Sequence, residues 1–380
     1  MDTVKATKSL LKAVELEQKE QVLQLLNEGC DLSLTDEAGR SPLMLAVQRN
    51  NLILVKELLA FGADVNQRDN TQLTPFICAA ANGFDEIVSE ILQSGRADLA
   101  SVNRFGGTAL LPSSEKGYLR TVQLCLAAGV PVNHVNRLGW SALLEAVILG
   151  DGGFLYQDVI RELVQHQADT NQVDDTGKNA LDYAKATANE VLITIVEKQE
   201  VEEVAFHAIR TFLRKGEVEQ ALKVLKTQDP TDLEVLYYLG YSYQRLKDYP
   251  TAISYYKKGW EKSEQFAFYV GNSYRMIGDI EHALQTYDQA IKTDRSFFYR
   301  YHKSNFLREL GRHEEAVKMM DNLLEDYPER VDFYFHKANS LRSLNRHQEA
   351  ITAMECAIQL NPENPLFSEH LAQSLQLVKN

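Results

Sequence analysis

The chain has 380 residues, of which 44% are apolar, and its 40 basic and 53 acidic side chains give a net charge of −13. This length predicts two or three domains, and the apolar content excludes a wholly disordered chain. The negative charge argues against nucleic acid or an anionic membrane surface as the main partner.

The sequence shows no pattern of a membrane span or a secretory signal. No apolar run approaches the roughly 18–20 residues that cross a bilayer, and the N-terminus lacks the apolar core of a signal peptide. The four cysteines lie far apart without a Cys-x-x-Cys pair, which fits a reducing compartment and gives no zinc signature. We therefore expect a cytoplasmic protein without a membrane segment, a metal or a cofactor.

Aromatic content changes near residue 200, with 9 aromatic residues before it and 25 after it. This shift predicts two separately built regions, residues 1–199 and 200–380. The run Glu197–Glu203 contains neither glycine nor proline, so we expect a continuous helical join between the two regions.

The first region repeats itself every ~33 residues. In four of the five units a Ser or Thr precedes Pro or Ala, as in Ser41-Pro42, which predicts a helix N-cap and a good first helical residue. A second apolar helix follows and ends at a glycine such as Gly62. The starts of the units are spaced 33, 34, 33 and 38 residues apart, at Asp36, Asp69, Asn103, Asn136 and Asp174.

These features resemble the ankyrin repeat family, in a form common in bacteria. The resemblance implies four full units over about residues 36–173, a degenerate first unit before them and a terminal cap over Asp174–Glu197. The unit from Asn136 carries about five extra residues, within Gly150–Gln157. This insertion is interpreted either as a tolerated surface turn or as a contact loop that presents Phe154 and Tyr156.

The second region repeats every 31–34 residues around an alanine in a second helix. A small residue lies twelve positions before each of the last four alanines, which lets two antiparallel helices cross closely. The alanines are Ala221, Ala252, Ala283, Ala316 and Ala350, and the small residues are Gly240, Gly271, Ser304 and Ala338. The pattern resembles the tetratricopeptide repeat (TPR), with about five units over Val204–Asn361 and a capping helix over Asn364–Asn380.

In TPR arrays, the resemblance implies that positions 2, 5, 9 and 12 of each first helix face the concave groove. Three successive units carry an aromatic residue, an asparagine and an arginine at positions 5, 9 and 12, and we call these nine residues the ladder. They are Phe268, Asn272 and Arg275; Tyr301, Asn305 and Arg308; and Phe335, Asn339 and Arg342.

The ladder predicts a groove for an extended peptide that carries acidic and apolar residues. An asparagine amide can pair with any peptide backbone, arginine binds carboxylates, and the rings offer apolar contact area. The alternative is a solvated face whose arginines pair with acidic residues of neighbouring helices. His302 and His336 recur at position 6 and are predicted to be packed or solvated rather than metal ligands.

The tips of the ankyrin-like hairpins form a second candidate surface, composed of Arg104, Phe105, Arg137 and Trp140. Trp140 either anchors a partner or shields the core of the neighbouring repeat. The acidic balance of this region favours a basic folded partner.

No catalytic motif of a serine hydrolase, zinc peptidase, P-loop enzyme or kinase occurs in the sequence. We therefore predict an all-α protein of two solenoids in tandem that acts as a non-catalytic scaffold for proteins or peptides. Two alternatives are an inhibitor or immunity-type protein that blocks one enzyme, and a host-directed bacterial effector. A third is RNA binding through the arginines and rings of the groove, which the low basic charge disfavours.

Overall fold

The computed structural model describes residues 3–198 and 206–379, which form α-helices joined by short turns. Contacts divide the chain into a first unit, Met1–Val201, and a second unit, Glu202–Asn380. The predicted helical join falls mainly on residues 199–205, which lie outside the described residues.

The helices of the first unit form successive antiparallel pairs. They are α1 Thr3–Glu15, α2 Lys19–Asn27, α3 Pro42–Gln48, α4 Leu52–Ala60, α5 Pro75–Ala81, α6 Asp85–Gln93, α7 Leu110–Glu115, α8 Leu119–Ala128, α9 Ala142–Leu149, α10 Phe154–Gln165, α11 Ala180–Ala186 and α12 Glu190–Lys198.

The Asp or Asn that starts each repeat builds the hairpin turn before the first helix. Asp36 Oδ1 accepts hydrogen bonds from the backbone N–H groups of Ala38 and Arg40, at 3.0 and 2.8 Å. The equivalent residues Asp69, Asn103, Asn136 and Asp174 accept the same two backbone bonds. The third residue after each start has a positive φ, and it is glycine in four of the five repeats. The same turn therefore recurs at the start of each repeat.

Side-chain caps then start the short first helices. Ser41 Oγ accepts a hydrogen bond from the Met44 N–H, and Ser141 Oγ accepts one from the Leu144 N–H. Neighbouring hairpins are joined by backbone bonds, such as the one from the Asn70 N–H to the Ala38 carbonyl at 3.0 Å. The apolar faces of both helix layers form one continuous core along the unit.

The second unit contains longer pairs and a final helix. Its helices are α13 His207–Lys215, α14 Val218–Leu225, α15 Leu233–Arg245, α16 Tyr249–Trp260, α17 Gln265–Met276, α18 Ile280–Thr293, α19 Phe297–Glu309, α20 His313–Asp326, α21 Val331–Ser343, α22 His347–Leu360 and α23 Pro365–Lys379.

Small residues allow the close helix crossings that the sequence predicts. The ring of Tyr256 lies against Gly240, where an added Cβ would come closer than 3.0 Å to the ring. Both residues are buried, so the glycine provides the space that the tyrosine fills. Across the described residues, no helix combines the length and the apolar character that a membrane crossing requires.

Candidate functional site

The ladder lies on the first helices of three successive pairs, α17, α19 and α21. Within each helix its members are spaced by four and three residues, so they share one helical face. The structure therefore places the three triplets at equivalent positions along the second unit.

The aromatic members of the ladder are buried. Phe268 and Tyr301 are 1% exposed and Phe335 is 3% exposed. Each ring contacts a histidine of the following first helix, with centroid distances of 4.8 Å for Phe268–His302, 5.7 Å for Tyr301–His336 and 4.7 Å for Phe335–His370. The prediction that these rings offer open contact area is therefore wrong, because the next helix of the array covers each ring.

The asparagines bond within the chain. Asn272 Oδ1 accepts a hydrogen bond from Tyr287 Oη at 3.0 Å. Asn305 Oδ1 and Asn339 Oδ1 accept hydrogen bonds from the arginine three residues later, Arg308 and Arg342. The amide nitrogen of Asn339 is buried and has no acceptor among the described residues. This unused donor distinguishes Asn339 from a residue whose role is packing alone.

The three arginines have different partners. Arg275 forms an ion pair with Glu309 of α19, with Nη2 and Oε2 2.8 Å apart. Arg308 Nη1 instead donates to His336 Nδ1 at 2.7 Å, and Arg342 Nη2 donates to His370 Nδ1 at 3.0 Å. The alternative of pairing with neighbouring acids therefore holds for Arg275 and not for the other two.

Arg308 and Arg342 leave a surplus of positive charge and donors on α19 and α21. Neither has a carboxylate within ion-pair distance in the part of the chain that the structure describes, and Arg308 Nε is buried without an acceptor. Burial lowers the pKa of the Arg342 guanidinium to about 10. An anionic group is the chemical complement of this arrangement.

The sequence did not lead us to predict Glu309 and His370 as partners of the ladder arginines. His370 has a signal in the sequence, because it follows His336 by 34 residues, as His336 follows His302. Glu309 shows no such period. His302 and His336 are packed against rings, as predicted, and no group of three potential metal-ligating side chains occurs among the described residues.

On the first unit, the hairpin tips bring three of the four predicted residues together. The Arg104 guanidinium lies over the Phe105 ring, 4.9 Å from its centroid, and the Arg137 N–H donates to the Phe105 carbonyl at 2.9 Å. Arg137 is exposed. Trp140 is only 8% exposed, so it shields the core and is not an open anchor for a partner.

The structure also contradicts one of the two interpretations of the insertion after α9, the contact loop that presents Tyr156. The extra residues form the turn before α10 and lengthen that helix to 12 residues. Tyr156 is fully buried, and its Oη donates to the Glu115 carbonyl at 2.7 Å. A contact loop that presents Tyr156 is therefore excluded, because the tyrosine ties α10 to the end of α7.

Comparison with known families supports both resemblances. The model for ankyrin repeats (3 copies) matches residues 10–103 and 79–172. Models for the tetratricopeptide repeat match residues 234–258 and 304–365. The chain thus combines ankyrin repeats in its N-terminal region with tetratricopeptide repeats in its C-terminal region. Both kinds of repeat are generally non-catalytic binding modules, and together they indicate a protein–protein interaction scaffold.

Among similar proteins, the putative ankyrin repeat protein YahD of Escherichia coli K12 is 36% identical over 167 residues, covering 44% of this chain and 83% of YahD. The putative ankyrin repeat protein FPV031 of fowlpox virus is 28% identical over 41% of this chain and 46% of its own length. An ankyrin repeat domain from Acinetobacter baumannii, solved by crystallography, is 38% identical with a TM-score of 0.49, over 50% of this chain and 97% of that domain. The chain belongs to the ankyrin repeat family.

Proposed function

We propose that the chain is a non-catalytic cytoplasmic adaptor whose second unit binds an extended acidic peptide along α19 and α21. One observation carries this proposal: Arg308, Asn339 and Arg342 have unused donors or an uncompensated charge on adjacent helices. A carboxylate would accept from these donors and neutralise the guanidinium groups.

Burial of the rings changes the expected ligand. Because Phe268, Tyr301 and Phe335 are covered, the peptide is selected by its acidic side chains and backbone rather than by apolar side chains. The same burial opposes RNA binding through the ladder, because bases need open rings on which to stack. A salt titration distinguishes RNA binding from peptide binding, since RNA binding weakens steeply with salt.

Selection from a displayed library of random peptides tests the proposal with the full chain. We expect the recovered peptides to be enriched in Asp and Glu, and the enrichment to disappear for the Arg308→Gln/Arg342→Gln variant. Arg275→Gln is the matched control, because Glu309 already neutralises Arg275. Acidic enrichment that survives the double variant, or that the control abolishes equally, contradicts the proposal.

The first unit is proposed to bind a folded partner at the hairpin tips around Arg104, Phe105 and Arg137. Residues 1–200 carry 17 basic and 27 acidic side chains, a net of 17 − 27 = −10, which favours a folded partner of net positive charge. An inhibitor, an immunity-type protein and a host-directed effector are all compatible with such a surface. An Arg137→Glu variant that still binds the same partner with unchanged affinity would exclude Arg137 from the interface.

A further inference from the structure

Two arginine–histidine hydrogen bonds repeat at the C-terminal end of the second unit. Arg308 of α19 donates to His336 Nδ1 of α21 at 2.7 Å, and Arg342 of α21 donates to His370 Nδ1 of α23 at 3.0 Å. Each pair is separated by 28 residues and joins the first helix of one repeat to the equivalent helix of the next. Arg342 also donates to the His370 carbonyl at 3.2 Å.

These bonds require neutral imidazoles. A guanidinium has donors only, so Nδ1 of each histidine must be the unprotonated acceptor. In His336 the proton then lies on Nε2, which is 3.3 Å from Tyr301 Oη and donates to it. Protonation of either Nδ1 removes the acceptor and places two cations in direct contact.

The guanidinium of each pair already carries a positive charge. His370 is 2% exposed, and neither Arg308 nor Arg342 has a carboxylate partner among the described residues. Arg308 and Tyr301 of α19 contact His336. The buried Asp332 lies one helical turn before His336 on α21, and its carboxylate pairs with Arg330. His313 of α20 lies near Arg308, and burial together with the Arg308 charge lowers the pKa of His313.

The preceding helix interface provides an internal contrast. Between α17 and α19, Arg275 bonds the carboxylate of Glu309 rather than a histidine. His302, equivalent in position to His336, packs against Phe268 and Phe298 with centroid distances of 4.8 and 4.5 Å. The arginine contact at this interface therefore does not depend on a neutral imidazole.

We propose that the Arg308–His336 and Arg342–His370 pairs are proton-sensitive latches that loosen the C-terminal end of the second unit in mild acid. In a repeat array each element contacts only its neighbours, so loss of the last two latches acts first on α21 and α23. The latches are intact above the pH at which a free histidine titrates, about 6.5, and their contribution to stability is lost as the pH falls below it. The latches use the same two arginines as the proposed peptide site, but they are argued from the arginine–histidine bonds and are tested without a peptide.

Nitrogen-15 NMR of the histidines in the full chain tests the protonation states directly. At pH 7.5 we expect the two imidazoles to carry their proton on Nε2. We expect Nδ1 to gain a proton only at a pH below that at which a free histidine titrates. Resonances are assigned by their loss in His336→Gln and His370→Gln. Either imidazole protonated on Nδ1 at pH 7.5, or titrating at or above a free histidine, would overturn the proposal.

Amide hydrogen exchange tests whether protonation of the histidines loosens α21 and α23. After correction for the intrinsic pH dependence, protection in α21 and α23 is expected to fall severalfold between pH 7.5 and 5.5, because protonation removes the acceptors of both arginines. In His336→Gln/His370→Gln the amide oxygen still accepts from arginine but does not titrate, so the fall should vanish. His282→Gln, at an exposed histidine, should behave like the wild type. Equal loss of protection in the double variant contradicts the latch.

Discussion

Glu145 of α9 is a buried acid whose replacement should stabilise the first unit. It is 6% exposed, and its Oε1 accepts a hydrogen bond from Asn136 Nδ2 at 2.8 Å. Its Oε2 is buried and has no donor among the described residues. Burial, with a smaller effect from the negative charge of Glu115, raises the pKa of Glu145 well above its ordinary value.

We predict that Glu145→Gln raises the free energy of unfolding at pH 8 by about 1–3 kcal/mol, because burying an uncharged amide costs less than burying a carboxylate with one unpaired oxygen. The glutamine keeps the oxygen that accepts from Asn136 and replaces the unpaired oxygen by an uncharged amide. For a unit of this size, each 1 kcal/mol corresponds to a rise of about 2–4 °C in Tm.

The sign of the pH dependence follows from the raised pKa. The folded state holds the Glu145 proton more tightly than the unfolded state, so wild-type stability falls as the pH rises through the folded pKa. The gain from Glu145→Gln therefore grows as the pH rises above the unfolded value near 4.3 and vanishes as the pH approaches that value. Thermal unfolding from pH 4.5 to 8 measures it, with the exposed Glu37→Gln as control. A gain that does not depend on pH, or a loss at pH 8, would refute this reasoning.

Three further predictions concern backbone and packing, each measured by chemical denaturation. Gly240→Ala should destabilise the second unit by about 1–3 kcal/mol, because its Cβ would overlap the ring of Tyr256. Gly271→Ala should cost less, since its nearest ring atom would be 3.2 Å away; an equal loss at both sites would contradict the packing argument. Gln72→Gly should stabilise the first unit by about 0.5–1 kcal/mol, because Gln72 has a φ of 66° at the turn position where four repeats have glycine. Ser141→Ala should cost about 0.5–2 kcal/mol through loss of the helix cap, and no change would contradict the assigned cap.

Local chemistry explains why the repeats could be predicted from sequence. An Asp or Asn with a glycine three residues later specifies a hairpin turn, and Gly240 opposite Tyr256 specifies a close crossing. Helical periodicity also placed the members of each ladder triplet on one face. These features depend on residues close together in the chain or one repeat apart.

The partners of the ladder could not be predicted in the same way. Burial of Phe268 depends on where the next first helix lies, which the twist of the array determines rather than the local sequence. The acceptor that a long guanidinium reaches depends on distances between helices, so Arg275 and Arg308 looked equivalent although one meets Glu309 and the other His336. The sequence left open whether the insertion presents Tyr156, and this side chain is buried because α10 packs it against the end of α7.

The measurement that tests the account most directly is the affinity of one selected acidic peptide and its Glu→Gln counterpart for three proteins: the wild type, Arg308→Gln/Arg342→Gln and Arg275→Gln. A charge-assisted hydrogen bond contributes about 1.5–3 kcal/mol, so the double variant should weaken binding of the acidic peptide at least tenfold. Arg275→Gln should change its Kd less than about threefold, because Glu309 already pairs with Arg275. The proposed acidic-peptide site is contradicted if both variants weaken binding equally, or if the wild type does not distinguish the acidic peptide from its neutral counterpart.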